Sequence, residues 1–235
     1  MIFFLQTDGP MLTSLARLLV VAPIATLLAC SGSSASAATV GAAVPVPAPD
    51  APAIATGVQT AVFAGGCFWG VDAVFKHVKG VTRVVSGYAG GAAETARYED
   101  VGSGQTGHAE AVEVTYDPAI VSYGTLLKVF FTVAHDPTEL NRQGPDEGTQ
   151  YRSTIFVAND AQRTASSAYI AELTKAGTYR RPIVTTLESL TKFHPAEAYH
   201  QDYLALHPTQ PYIVINDLPK LAALKARMPE LYTGS

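Results

Sequence analysis

Hydrophobic and polar residues fall into regular patterns from about residue 58 onward. Short apolar runs rich in β-branched residues, typical of strands, alternate with segments whose apolar residues recur every three or four positions, typical of helices. The strand pattern is clearest at 109–116, where Val112 and Val114 alternate with the polar Glu113. These patterns predict strands at residues 60–64, 81–88, 109–116, 151–158 and 183–190, and helices at residues 67–78, 123–134, 161–176 and 195–206.

The order of these elements indicates the fold class. The first helix follows the first strand almost directly, places Phe68, Val71 and Phe75 on one face, and ends at Gly80. A second and third strand then precede the next helix, and strands and helices alternate to the end. This order favours a two-layer α/β sandwich, ferredoxin-like, with a mixed or antiparallel sheet.

The first thirty residues have the pattern of a secretory signal. Residues 18–29 are apolar and follow Arg17, but a membrane-spanning helix needs about 20 apolar residues. The stretch ends in Leu27-Leu28-Ala29-Cys30, which resembles the lipobox of bacterial lipoproteins, whose cysteine becomes the lipidated first residue. Residues 1–30 are therefore predicted to be a signal peptide with a lipobox ending at Cys30.

Two alternatives stay open at this end of the chain. A plain signal peptide could be cut after residues 35–37, which are all small, and Met11 is an alternative translation start to Met1. A lipidated Cys30 predicts a periplasmic or cell-envelope protein anchored to a membrane. A plain signal predicts a soluble secreted or periplasmic protein.

Residues 31–57 have the composition of a linker. They are mostly Ala, Ser, Pro and Gly, contain no aromatic residue, and carry Asp50 as their only charge. Such a segment cannot bury a core, and its Pro-rich part should be extended. It is predicted to tether the domain of residues 58–235, which contains all of the predicted strands and helices and is the candidate catalytic domain.

Composition and charge narrow the partners. The chain has 235 residues, 48% of them hydrophobic and 15% charged, which fits one globular domain with extra segments. The net charge is −4 and no basic cluster is present, so nucleic acid is not an expected partner.

Cys67 is the candidate nucleophile. It lies in Gly65-Gly66-Cys67-Phe68-Trp69-Gly70, between the first predicted strand and the first predicted helix, and is the only cysteine besides Cys30. The unpaired N–H groups at a helix start favour an anion, which predicts a lowered thiol pKa. A buried structural cysteine is the common alternative, but the flanking glycines and the two aromatics favour a reactive thiol.

Other polar residues offer weaker signals. Glu110 is either a solvated strand residue or a buried acid with a raised pKa that can donate a proton. His108 with Glu110, or Glu197 with His200, could begin a metal site, but neither pair has a third ligand at a suitable spacing, so no metal is expected. A Cys-His hydrolase would need His108, His135 or His200 as its base. Surface or helix-capping positions are predicted for His77, His135 and His194.

Several segments together resemble the A type of the peptide methionine sulfoxide reductase family. The motifs are GGCFWG, SGYAGG, RYEDVGSGQTGHAEAVEVTYDP, HDPT followed by RQGPDEGTQYRS, and AYHQDYL, in that order across roughly residues 60–215. The resemblance implies reduction of the S epimer of methionine sulfoxide, free or in proteins, with no metal or organic cofactor. An alternative is a thiol-based redox sensor or binding module on the same scaffold.

The resemblance also assigns roles. Cys67 would attack the sulfoxide sulfur, and Glu110 would protonate the oxygen. Phe68 and Trp69 would form the apolar pocket for the substrate methyl group. The hydroxyls of Tyr98 and Tyr151 would hold the oxygen and the Asp146 carboxylate would orient the substrate; the full set is Cys67, Phe68, Trp69, Tyr98, Glu110, Asp146 and Tyr151.

One departure from the family affects the reductant. The reaction that the resemblance implies would leave a sulfenic acid on Cys67. Many members of the family reduce the equivalent sulfenic acid with further cysteines near the C-terminus, but residues 216–235 contain none. The resemblance therefore implies an external thiol, thioredoxin-like, glutaredoxin-like or small, because a lipidated Cys30 could not serve.

Overall fold

The computed structural model describes residues 57–234. The predicted signal peptide, Cys30 and the linker up to residue 56 lie outside the described residues. The strands are β1 (Gln59–Gly65), β2 (Val81–Ala89), β3 (Ala109–Tyr116), β4 (Arg142–Gln143), β5 (Asp146–Glu147), β6 (Ser153–Val157), β7 (Thr186–Ser189) and β8 (Phe193–Pro195). The α-helices are α1 (Phe68–Lys76), α2 (Tyr98–Val101), α3 (Tyr123–Val129), α4 (Asp160–Lys175), α5 (Tyr203–Leu206) and α6 (Leu218–Arg227).

A six-stranded mixed sheet organises the fold, in the order β7-β6-β1-β3-β2-β8. Its four central strands, β6-β1-β3-β2, are all antiparallel and come from a βαββαβ unit, which is the ferredoxin-like arrangement. β7 pairs parallel to β6 on one edge and β8 pairs antiparallel to β2 on the other. The α/β class and the mixed sheet predicted from the sequence are confirmed.

The main core lies between this sheet and the helices. Along β1, Ala61 and Phe63 face that core, while Val62 and Ala64 face a smaller apolar cluster on the other side of the sheet, as the two-residue period of a strand requires. The Phe63 ring stacks on Phe75 of α1, with ring centroids 5.1 Å apart. This packing fixes α1 on the sheet directly after β1. Among residues 57–234, no helix is both long and apolar enough to cross a membrane.

The predicted helix at 195–206 is wrong. Residues Phe193–Pro195 form β8, Ala198–His200 form a 3₁₀ turn, and only Tyr203–Leu206 are α-helical. The Gln201 side chain accepts from the Ser86 N–H at 3.0 Å and donates to the Ser86 carbonyl at 2.9 Å. Asp202 then adopts a left-handed backbone with φ of 55°, which interrupts a helix. Pairing with the β2 edge therefore outweighs the local helical pattern.

Two further differences concern the helices. The pattern predicted at 123–134 is α-helical as far as Val129 and then widens into a π-helix over Phe130–Ala134. α6 was not predicted, although Leu221, Leu224 and Met228 have helical spacing and Leu224 and Met228 lie in the main core.

His135 and His77 both take the helix-capping position that was one of the two predictions for them. His77 is the C-cap residue of α1. His135 is the C-cap residue of the π-helix, with its Nδ1 3.0 Å from the Phe130 carbonyl, but it is not at the surface. Its ring stacks on Phe130 with centroids 3.9 Å apart and lies 2.7 Å from the Ser153 hydroxyl. Burial lowers the pKa of His135 to about 4, so the imidazole is neutral and structural.

Candidate active site

A tight turn between β1 and α1 presents Cys67. Gly66 has a φ of +89°, and a Cβ there would lie 2.5 Å from the side chain of Gln143. Only glycine fits both the left-handed backbone and this close approach. The turn makes Cys67 the N-cap residue of α1, buried but bordering a cavity.

The lowered thiol pKa predicted for Cys67 is wrong. Burial raises the pKa of the Cys67 thiol well above its ordinary value, and Glu110 and Asp217, which are ionised at the high pH where this thiol titrates, raise it further. The Trp69 backbone N–H and the Lys220 ammonium act in the opposite direction. The helix start does favour the thiolate, but the loss of water around the sulfur outweighs that effect.

Glu110 is placed against the same helix start. It lies near the beginning of β3, on the face that carries Val112 and Val114 into the main core, and only 3% of its surface is exposed. Its Oε2 accepts from the Phe68 backbone N–H at 3.0 Å. Burial raises the pKa of Glu110 to about 8, although this hydrogen bond opposes the shift. The carboxyl is therefore mostly protonated at neutral pH, as a proton donor requires.

Aromatic rings from distant parts of the chain form one wall of the cavity. Trp69 stacks on Tyr203 with ring centroids 3.7 Å apart, and Tyr212 meets it edge-on at 5.8 Å. The Trp69 indole N–H donates to His200 Nδ1 at 3.1 Å. Because burial lowers the pKa of His200, its imidazole is neutral and can accept. The indole plane is thus fixed from two sides.

Hydroxyl and carboxyl groups complete the cavity. The pKa of Tyr98 and of Tyr151 is raised, mainly by burial and next by the charge of Glu110, so both phenols keep their protons and can donate. The Tyr212 hydroxyl donates to the Asp146 carboxylate. The volume enclosed is about 260 Å³, and its lining is Cys67, Phe68, Trp69, Tyr98, Glu110, Asp146, Tyr151, Gln210 and Tyr212.

All seven residues singled out from the sequence therefore meet at one cavity. Sequence reasoning missed Tyr203, which holds Trp69, and Gln210 and Tyr212, which line the cavity. It named His200 only as a possible metal ligand or hydrolase base, whereas the structure makes it the acceptor of the Trp69 indole N–H. The available signal was the aromatic density of residues 199–212, which contain Tyr199, Tyr203 and Tyr212. Within residues 57–234, no three His, Cys, Asp or Glu side chains are grouped so as to hold a metal ion.

Comparison with known sequences identifies the family. The profile of the family described as Peptide methionine sulfoxide reductase matches residues 59–231. A peptide methionine sulfoxide reductase MsrA 2 of Mesorhizobium japonicum is 63% identical over 179 residues, 76% of this chain and 92% of that protein. A protein of the same name from Synechocystis sp. is 51% identical over 167 residues, 71% of this chain and 78% of its own length.

Solved structures agree with the sequence matches. Reduced Mxr1 of Saccharomyces cerevisiae superimposes with a TM-score of 0.61 at 34% identity, over 65% of this chain and 87% of that one. Methionine sulfoxide reductase A of Corynebacterium diphtheriae gives a TM-score of 0.57 at 36% identity, over 66% of this chain and 78% of that one.

The α/β sandwich, the cavity with its thiol and buried carboxyl, and these matches together identify an oxidoreductase. The chain belongs to the peptide methionine sulfoxide reductase family, A type, and the resemblance drawn from its motifs is confirmed. It is an enzyme, and the alternative of a redox sensor or binding module is not favoured.

The buried Glu110 should make stability depend on pH. Its pKa is about 8 in the folded protein against 4.5 in the unfolded chain, so between these values the folded state holds a proton that the unfolded state has lost. The contribution of Glu110 to folding stability is thus complete below about pH 4.5 and is lost as pH rises toward 8.

The Glu110→Gln variant lacks this pH dependence. As pH rises across this range, the unfolding free energy of the wild type should therefore fall relative to that of the variant, by up to about 1.4 kcal/mol per pH unit. Urea denaturation from pH 5 to 8 measures the difference, and a flat difference contradicts a buried, protonated Glu110.

Proposed function

We propose that the enzyme reduces methionine S-sulfoxide, in oxidised proteins and as the free amino acid, with Cys67 as nucleophile and Glu110 as acid. The observation that carries this proposal is a neutral carboxyl buried in the same cavity as the only described cysteine. Sulfoxide oxygen leaves poorly until it is protonated, so a thiol alone is a weak reductant and needs an acid beside it.

Cys67 and Glu110 together supply and recover every proton that the reaction needs. The Cys67 sulfur bonds to the sulfoxide sulfur while Glu110 gives its proton to the oxygen, and the thiol proton replaces the one that Glu110 gave. Transfer of the hydroxyl to Cys67 then releases methionine, so the sum is Cys67-SH plus sulfoxide giving Cys67-SOH plus methionine. The product on the enzyme is a sulfenic acid, the first step of cysteine oxidation.

The other cavity residues fit the substrate on either side of the reacting sulfur. Tyr98 and Tyr151 keep their protons and can donate to the oxygen as negative charge develops there, which stabilises a transition state more than a ground state. Phe68 and Trp69 offer an apolar surface for the methyl group. Asp146, held by the Tyr212 hydroxyl, can accept from a substrate N–H.

The sulfenic acid is returned to a thiol by an external reductant. No cysteine follows Cys67 in the sequence, so no later residue can form an intramolecular disulfide with it. A thioredoxin-like protein or a small thiol would supply both electrons, through a mixed disulfide at Cys67.

Substitution of the nucleophile tests the activity. The Cys67→Ser variant should lose turnover with dithiothreitol, because a hydroxyl is a far weaker nucleophile than a thiol. Wild-type enzyme given excess S epimer and no reductant should form one methionine per molecule and then react at Cys67 with a dimedone-type probe. Substantial turnover by Cys67→Ser, or equal use of the R epimer, contradicts the proposal.

Substitution of the acid tests its role separately. The Glu110→Gln side chain keeps the shape and the hydrogen bond from Phe68 but has no acidic proton. Its single-turnover rate should fall by about 10²–10⁴-fold, the usual contribution of a positioned acid, with substrate binding little changed. Rapid quench with methionine detection measures it. A rate within about twofold of wild type would assign the proton to another donor.

We further propose that the mature protein is a lipoprotein of the cell envelope, with residues 31–57 as its tether. The support is the Leu27-Leu28-Ala29-Cys30 sequence and the Ala- and Pro-rich composition that follows it. An envelope enzyme of this kind would repair methionine residues oxidised outside the cytoplasm.

Mass spectrometry of the mature N-terminus checks the anchor. The first residue should be Cys30 carrying acyl chains, and a Cys30→Ser variant should leave the membrane fraction, since it has no thiol to modify. An unmodified N-terminus beyond residue 35 contradicts lipidation and leaves the catalytic proposal intact.

A further inference from the structure

A second, smaller cavity also reaches Cys67. It encloses about 70 Å³, and its lining outside the substrate cavity is Gln143, Gly144, Pro145, Asn216 and Lys220. Three of these five residues, Gln143, Asn216 and Lys220, have polar side chains, and the space is called the polar cavity below. Lys220 is the one cationic side chain in it.

Three residues border both cavities: Cys67, Asp146 and Tyr212. The hydrogen bond from the Tyr212 hydroxyl to Asp146 therefore lies between them. Cys67 thus borders two cavities, one that holds the aromatic wall and Glu110, and one that holds Lys220. In the proposed reaction the Cys67 sulfur reacts first with a sulfoxide and then with a thiol, and each reactant could reach it through its own cavity.

The cation of the polar cavity is held in place. Lys220 Nζ lies 3.2 Å from Asp217 Oδ1, and the Asp217 side chain is fully buried. The second oxygen, Oδ2, has no hydrogen-bond partner among residues 57–234. A Cβ at Gly70 would lie 2.1 Å from Asp217 Oδ1 and 2.9 Å from Lys220 Nζ, so the ion pair packs directly on the first turn of α1, the helix that Cys67 caps.

An ion pair in this position is costly to bury, because both groups lose water and one carboxylate oxygen gains no partner. A buried ion pair of this kind is consistent with a function that needs the Lys220 charge at this position. The Lys220 ammonium already acts on the sulfur, since its charge favours the Cys67 thiolate. The same charge would act on any other sulfur anion brought to the same place.

We propose that the polar cavity is the entrance for the reducing thiol, and that Lys220 is the residue that stabilises its thiolate beside the Cys67 sulfenic acid. This inference rests on the proposed function, which supplies the sulfenic acid. The ligand class is a thiolate, from a small thiol or from a cysteine of a thioredoxin-type protein.

The chemistry balances without a further reactant. The thiolate attacks the Cys67 sulfur, an S–S bond forms and the S–O bond breaks, and the oxygen leaves as water after taking the proton that the reducing thiol gave up. A second reducing thiol then attacks the mixed disulfide and restores the Cys67 thiol. The sulfenic sulfur is reduced and two reductant thiols are oxidised to a disulfide.

The test separates the two half-reactions of the full-length enzyme. One equivalent of methionine S-sulfoxide forms the sulfenic acid, and stopped-flow fluorescence of Trp69, the only tryptophan in the chain, then follows its reaction with an added thiol. Two probes differ in charge: anionic 2-mercaptoethanesulfonate and cationic 2-mercaptoethylamine. The measured quantity is the ratio of their second-order rate constants at equal thiolate concentration.

The Lys220→Met variant should lower this ratio by about 10-fold, at the lower end of electrostatic effects on association rates. Because it leaves the buried Asp217 unpaired, a paired Lys220→Met, Asp217→Asn variant removes both charges, and its ratio should fall in the same direction. Lys225→Met, an exposed position on the same helix, is the matched control and should keep the wild-type ratio.

A parallel reaction with a thioredoxin-type dithiol protein identifies the source of the thiolate. If both the dithiol protein and the anionic small thiol reduce Lys220→Met more slowly than the wild type, the cavity admits both reductants. If only the small thiol reacts more slowly, the cavity admits the small thiol alone. An unchanged ratio in both Lys220 variants overturns the proposal. So does a methionine-forming step that slows as much as the reduction step, because Lys220 would then act on Cys67 alone. Failure to form any methionine would instead overturn the proposed function.

Discussion

The hydrogen bond from the Phe68 backbone N–H to Glu110 is the contact on which the site depends. It joins the first amide of α1 to a carboxyl near the beginning of β3, 42 residues further along the chain. A buried carboxyl needs a partner, and the first turn of a helix has N–H groups without one. Because Cys67 immediately precedes Phe68, the same contact that satisfies both needs places an acid beside the thiol. Glycines at positions 65 and 66 let the neighbouring side chains close around this turn, since a Cβ at either position would meet His135 or Gln143 within 2.9 Å.

Burial sets the protonation state of this pair. It raises the pKa of both Cys67 and Glu110, so the resting site holds two neutral, protonated groups. A site built only to ionise the thiol would be more exposed or more cationic. Under the proposed mechanism, Glu110 holds the proton that the sulfoxide oxygen needs, and the Cys67 thiol loses its own proton only during the reaction. The raised pKa values of Tyr98 and Tyr151 extend the same design, because both phenols stay donors throughout.

The sequence predicted those parts of the fold and site that a local pattern of residues determines. The alternation in 109–116 predicted β3 with its bounds, and the structure shows that Glu110 lies on the face of Val112 and Val114. The unusual residues around Cys67 marked the nucleophile. Local pattern failed where distant backbone decides the outcome: Gln201 binds the edge of β2 at Ser86 and so breaks a predicted helix. The thiol pKa was misjudged for a related reason. The helix start is visible in the sequence, whereas the burial of the sulfur and, after it, the approach of the Glu110 and Asp217 carboxyl groups are set only by the fold.

The last part of the described chain shows why family motifs alone give an incomplete site. Residues 198–227 carry no cysteine, so a comparison of redox residues finds nothing in them. Physically they hold the cavity wall in place: Tyr203 stacks on Trp69, His200 accepts from its indole N–H, and the Tyr212 hydroxyl donates to Asp146. The buried Asp217 and Lys220 come from the same segment and pack against Gly70. In this chain the segment therefore contributes shape and charge to the surroundings of Trp69 and Cys67, independently of how a sulfenic acid is reduced.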